Sequence, residues 1–222
     1  MGKRSKYREK VGPQVPPLLP KTSKQQMYLD ALRSSPQVFA IGPAGTGKTF
    51  LPAAYAGDLL MNNQVSKVVL TRPNVPAGPS LGFFPGTLEE KMAPWVIPFL
   101  ETMSVRMGGQ GAIDTNIKRG NIEVVPFETM RGRSFDDAFI IVDEAQNLTP
   151  SEMYMILTRI GEESQIVITG DLRQKDIKSD SGLQKAIETV YKHAIPAAVI
   201  NFDHTDIVRS GICAQWVKHW ED

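Results

Sequence analysis

Ten residues, IGPAGTGKTF from Ile41 to Phe50, constrain this chain more than any other stretch. Gly42, Gly45 and Gly47, followed by Lys48 and Thr49, stand in the order G-x-x-x-x-G-K-[ST]. A backbone can wrap an anion with its NH groups only where glycine removes the Cβ clashes, and it needs a strand to launch it and a helix N-terminus to receive it. Both flanks are present. QVFAI reads as a buried strand, and TFLPAAYAGDLLM reads as a helix whose Pro52 lies close to the first turn, where a missing NH costs little. Within the loop, Gly42, Pro43, Ala44, Gly45, Thr46 and Gly47 are expected to cradle phosphates. Lys48 is expected to reach the β and γ phosphates of a nucleoside triphosphate, and the Thr49 hydroxyl to ligate Mg²⁺.

A strand, glycine loop and helix in this order favour an α/β fold, and the rest of the chain agrees. KVVLTRP, IEVVPF, AFIIVDE, QIVITGD and AAVINF are short β-rich runs. Between them lie helical patterns: one from Thr22, with Met27, Leu29, Ala31 and Leu32 facing a core; one over Leu88 to Met107, bent by Pro94 and Pro98; and PSEMYMILTRI and SGLQKAIETVYKHA. The alternation predicts a doubly wound, mostly parallel sheet with helices on both faces. No repeat of 20 to 50 residues is visible, so a solenoid is not expected. Residues 1–21 are basic and Pro-rich and read as a flexible arm, which leaves 22–222 as a single domain.

Composition narrows the function classes. With 25 basic and 24 acidic residues the formal charge is +1, so any surface for nucleic acid or membrane must be local. Cys213 is alone and cannot form an internal disulfide, and His193, His204 and His219 lack the spacing of a zinc site. The basic N-terminus has no apolar run behind it, and no run approaches the ~20 residues that span a bilayer. A cytoplasmic chain without a membrane span is the expectation.

Two further stretches bear on chemistry. Hydrolysis of a triphosphate needs a carboxylate to hold magnesium and a group to orient or deprotonate the attacking water. Ile140, Ile141 and Val142 run into Asp143 and Glu144, so that where the strand ends Asp143 can face a metal and Glu144 a water. VITGDLRQ ends another strand in Thr169, Gly170 and Asp171, and Gln174 beyond it suits a sensor of the γ-phosphate.

Taken together, GPAGTGKT, VVLTRPNVPAG, LGFFPGTLEEK, VVPFETMRGRSFDDAFIIVDEAQN, LTRIG, VITGDLRQ and DIVRS resemble the PhoH-like family of ATPases, over about residues 22 to 215. The resemblance implies a P-loop NTPase with a RecA-like core, akin to the first motor domain of superfamily 1 helicases, hydrolysing ATP and acting in RNA or DNA metabolism. It also implies roles: Gln25 reading the adenine edge with Tyr28 nearby, Gln174 at the γ-phosphate, and Arg209 near the nucleotide. Pro79, Ser210 and Gly211 depart from the family pattern and put the local surface in question rather than the chemistry. Other members carry a nuclease or RNA-binding domain for which this length leaves no room.

Superfamily 1 helicases complete the ATP site with an arginine from a second RecA-like domain. One such domain here implies a homo-oligomer, with a hexameric ring as the expected assembly and the site completed by a neighbouring subunit. Arg209 is the first candidate for that arginine finger, and Arg131 or Arg133 the second; paired with Asp206, Arg209 would instead be a surface residue. Arg72, Arg131 and Arg133, the arm KRSKYREK, and Phe83, Phe84 or Trp95 are candidates for contacting RNA or single-stranded DNA. The competing reading is an ATP-dependent switch whose hydrolysis regulates a protein partner without unwinding. A small-molecule phosphotransferase ranks last, because DEAQN paired with GDLRQ fits water as the acceptor.

Overall fold

The computed structural model describes residues 15–73, 88–174, 176, 180–209, 211–212 and 215–216. Most of the arm, Phe83, Phe84, Pro79, Ser210, Cys213 and His219 lie outside the described residues. Six strands, β1 (Gln37–Ile41), β2 (Lys67–Thr71), β3 (Ile122–Val124), β4 (Ala138–Val142), β5 (Gln165–Gly170) and β6 (Ala198–Asn201), form one sheet. Every pairing is parallel and the order is β3-β2-β4-β5-β1-β6. This is a doubly wound α/β fold with a parallel sheet: β1 leads into the glycine loop, and β5 separates it from β4, which ends in the acidic pair.

Strand parity sorts the core into two layers. Val38 and Ala40, Val68 and Leu70, Phe139 and Ile141, and Val167 share one face with α1 (Ser23–Ser34), α2 (Phe50–Met61), α3 (Leu88–Met107) and α4 (Gln110–Arg119). Phe39 and Ile41, Val69, Ile140 and Val142, and Ile166 and Ile168 pack on the other face, against α5 (Pro150–Leu157) and α6 (Gly182–His193). The strands are apolar on both sides because helices cover both sides. The same alternation governs the strand ends. Asp143 follows Phe139 and Ile141, and Thr169 follows Val167, so both fall on the α2 side.

The helices carry their own terminal signals. The Thr22 hydroxyl accepts from the Gln25 backbone NH to start α1, and Thr149 and Glu152 form a reciprocal capping box at α5. On α1, Leu29, Ala31 and Leu32 are buried as expected, but Met27 is exposed and the fully buried Tyr28 takes the core position. Pro94 and Pro98 lie inside α3, which is assigned as one helix. Helix α4 was not expected; Ile113 is its one buried residue, and a helix with so narrow an apolar face leaves little periodicity to read. Among the described residues no helix is long and apolar enough to cross a membrane.

The arm boundary moves. Leu18 packs on the core, and Arg106 on α3 donates to the Pro16 carbonyl at 2.5 Å while gripping Asp58 of α2 through two bonds of 2.7 Å each. Residues 16–21 therefore belong to the domain, because a partly buried guanidinium and an apolar side chain hold them there.

Candidate nucleotide site

The loop between β1 and α2 takes the conformation that its glycines allow. Gly42, Gly45 and Gly47 have φ of 144°, 85° and 87°. A Cβ on Gly42 would lie 2.5 Å from the Phe202 carbonyl oxygen, and one on Gly47 would lie 2.8 Å from Gln25 Nε2. The loop is fixed from outside by Gly42 NH donating to the Gly170 carbonyl and Val208 NH to the Gly45 carbonyl, and from within by Thr46 Oγ1 donating to the Pro43 carbonyl. Beside it lies a cleft of about 460 Å³, within the range of small-molecule sites, lined by Lys48, Thr49, Phe50 and Arg209 among others. Leu19 and Lys21, from the segment read as an arm, also line it.

Thr49 is the informative residue. A threonine preceding α2 would ordinarily cap the helix with its hydroxyl. Here it makes no cap bond and donates instead to Asp143 Oδ1 at 3.1 Å. The same carboxylate oxygen accepts from Thr169 Oγ1. Burial raises the Asp143 pKa; Thr169 opposes this, Glu144 adds to it, and Arg72 and Thr49 lower it again. One carboxylate and one hydroxyl on the α2 side of the strand ends are hard oxygen donors of the kind Mg²⁺ takes from protein when phosphate oxygens complete its shell, so these residues fit that ion. Lys48 Nζ donates to the Pro43 carbonyl at 3.2 Å, folded back on its own loop. Burial lowers its pKa, Glu144, Asp171 and Asp143 raise it, and Arg209 lowers it.

Glu144 has φ 53° and ψ 38°, a left-handed conformation uncommon for a residue with a side chain. This turn is what separates Asp143 from Glu144, which bonds to Gln146 rather than to Thr49. Gln174 lies on the turn after β5, exposed, with its carbonyl accepting from Gln146 Nε2 at 3.3 Å.

Three other candidate residues are placed as follows. Tyr28 does not line the cleft: it is fully buried behind the loop, donating to the Lys48 carbonyl at 3.0 Å and packing edge-on against Phe202. Arg209 lies against its own loop, since a Cβ on Gly45 would come 2.6 Å from its Nε. That places it in the lining of the cleft of this chain, and it makes no ion pair with Asp206 among the described residues. Arg133 pairs with Glu123 at 2.6 Å and lies 4.7 Å over the Phe135 ring, whereas Arg131 is exposed. Gln25 is buried, with Nε2 donating to the Thr46 carbonyl and Oε1 accepting from Lys21 NH, each at 2.8 Å. Arg72 is half-buried close to Asp143, and Trp95 packs edge-on against Phe99.

Sequence reasoning missed the roles of Thr169 and Gln146. Parity along β5 could have placed Thr169 beside Asp143; DEAQN drew attention to Gln146 only as part of a motif, because apart from Glu144 its partners are 25 to 35 residues away.

Comparison with known proteins decides the family, since the model for PhoH-like protein matches residues 17–221. This chain belongs to the PhoH-like family. It is 42% identical to the PhoH-like protein of Bacillus subtilis over 203 residues, covering 90% of this chain and 63% of that protein. It is 38% identical to Protein PhoH of Escherichia coli over 202 residues, covering 89% of this chain and 56% of that one. The PhoH-like chain thus spans less than two thirds of the length of these relatives. Among solved structures, Pif1 helicase from Candida albicans overlies 84% of this chain and 40% of its own, at 18% identity and a TM-score of 0.42, a loose overlap.

Proposed function

We propose that this PhoH-like chain binds and hydrolyses ATP, and that it works as a homo-oligomeric, helicase-like motor on RNA or single-stranded DNA. The observation that carries the ATPase reading is the diversion of the Thr49 hydroxyl from helix capping to Asp143, with Glu144 turned away beside it. Gly42 to Gly47 would wrap the phosphates, and Lys48 would leave the Pro43 carbonyl to pair with them. Thr49 and Asp143 would hold Mg²⁺, which supplies charge neutralisation on the transferred phosphoryl group. Glu144 would orient the attacking water and accept its proton. Arg209, already over Gly45, would contribute positive charge from within the subunit.

The oligomer is part of the same proposal. A neighbouring subunit would cover the cleft, with a hexameric ring as the expected closed form and Arg131 as the exposed arginine available to reach across. A second reading, an ATP-dependent switch acting on a protein partner, is favoured by a specific observation. Of the three arginines proposed for nucleic acid, Arg133 is spent on Glu123 and Arg72 lies half-buried near Asp143.

Measuring ATP turnover and light scattering together separates these readings. The motor reading expects RNA or single-stranded DNA to raise turnover at least several-fold, with stimulation falling steeply as salt rises. Turnover indifferent to both strands at low salt would leave the switch reading in its place.

A further inference from the structure

Gln146 forms a bridge within the proposed hydrolytic site. It sits in the short turn Ala145–Asn147 after β4 and is buried. Its Nε2 donates to Glu144 Oε2 at 2.5 Å and to the Gln174 carbonyl at 3.3 Å, and its Oε1 accepts from the Asp171 backbone NH at 3.1 Å. The primary amide thereby spends both of its N–H donors and one acceptor position on two different segments. The Ser181 hydroxyl holds the Gln146 backbone carbonyl from the α6 side at 3.3 Å.

The surroundings are shaped to admit this amide. A Cβ on Gly170, the last residue of β5, would fall 2.9 Å from Gln146 Oε1 and 2.6 Å from Leu183 Cδ2. The turn that follows is tight and self-bonded: Arg173 NH donates to Asp171 Oδ1, and Gln174 NH to the Asp171 carbonyl, each at 3.0 Å. The turn and Glu144 are therefore tied to one side chain.

We infer that Gln146 is a positioning residue, which sets the direction of the Glu144 carboxylate and couples it to the turn carrying Gln174. The inference rests on the hydrolytic reading given above. A buried donor to a carboxylate is a strong hydrogen bond, and its loss leaves that carboxylate free to swing in its left-handed backbone seat. A shift of the 171–174 turn would move the amide, and the amide would move Glu144. Among the described residues Gln146 makes no hydrogen bond to the phosphate loop, so its substitution is expected to spare nucleotide binding.

The test uses the full chain with Gln146→Met, which keeps the length and removes the bonds, and Gly170→Ala, which crowds the amide without removing it. Gln146→Met is expected to bind a fluorescent ADP analogue within about threefold of wild type, whereas Gly170→Ala, whose carbonyl accepts from Gly42 NH, is compared at saturating nucleotide. Single-turnover ATP hydrolysis should fall about 10- to 100-fold, the scale of one charge-assisted hydrogen bond. In nucleotide-free protein, amide exchange at Asp171 should quicken in Gln146→Met. Combined with Glu144→Gln, Gln146→Met should cost less than about threefold more, because the two act through one carboxylate. Hydrolysis within threefold of wild type in either folded variant, or losses that multiply in the double variant, would overturn the coupling. If Gln146→Met does not fold, Gly170→Ala alone decides. Wild-type hydrolysis by Glu144→Gln on its own would instead sink the hydrolytic reading, a separate failure.

Discussion

Gly42→Ala is the substitution whose cost can be worked most fully from the loop. Gly42 has φ of 144°, outside the regions open to residues with a Cβ. Holding alanine there costs about 1–3 kcal/mol in backbone strain. The added Cβ would also lie 2.5 Å from the carbonyl oxygen, 2.9 Å from the carbonyl carbon and 2.8 Å from the Cβ of Phe202. These atoms cannot swing aside as a side-chain tip can, because Phe202 NH is itself bonded to the Ile41 carbonyl at 2.7 Å. Overpacking of this kind costs about a further 1–3 kcal/mol, for a total of about 4 kcal/mol. In a chain of this size that lowers Tm by about 8–16 °C. Gly45→Ala is the control: its φ is 85°, and the three atoms nearest its new Cβ all belong to the Arg209 side chain, which can move. It should cost about 1–2 kcal/mol. Thermal unfolding followed by circular dichroism, without nucleotide, measures both. A Tm loss below about 3 °C for Gly42→Ala, or equal losses for the two variants, would refute the reasoning.

Three further outcomes are expected. Thr71 Oγ1 is the one buried side-chain polar atom without a hydrogen-bond partner among the described residues, so Thr71→Val should raise stability by about 1 kcal/mol in urea unfolding. Arg106→Ala removes the paired bonds to Asp58 and the hold on Pro16; it should cost about 2 kcal/mol and, by freeing the wall formed by Leu19 and Lys21, weaken nucleotide affinity measured by fluorescence titration. Tyr28→Phe should cost about 1 kcal/mol, as the Lys48 carbonyl loses its donor, and leave nucleotide affinity within about twofold, because the ring never reaches the cleft.

Much of this architecture could be read from the chain because the signals were local. The glycine spacing with its flanking strand and helix foretold the loop, and apolar runs ending in Asp143 and Gly170 foretold which strand ends would converge on it. What escaped was set by tertiary packing. Tyr28 carries a polar tip and an aromatic body, so the sequence alone does not say whether it faces the nucleotide or, as found, the back of the loop. That Arg209 lines the cleft beside Gly45, and that Arg133 pairs with Glu123, are likewise set by packing between distant segments. Residues 16–21 looked like an arm because prolines and charges dominate there, while Leu18 and a guanidinium 90 residues away decide their place. The bridging role of Gln146 gave no sign, since the 171–174 turn and Ser181 meet it only in the fold.

The central claim is that the Thr49, Asp143 and Glu144 arrangement hydrolyses ATP. The most direct measurement compares ATP hydrolysis and nucleotide affinity, in Mg²⁺, for wild type, Glu144→Gln and Lys48→Ala. Glu144→Gln should bind nucleotide as wild type does and lose about 10²- to 10⁴-fold in kcat, the contribution of a general base. Lys48→Ala should lose affinity at least tenfold. Full turnover in Glu144→Gln, or undiminished affinity in Lys48→Ala, would contradict the account.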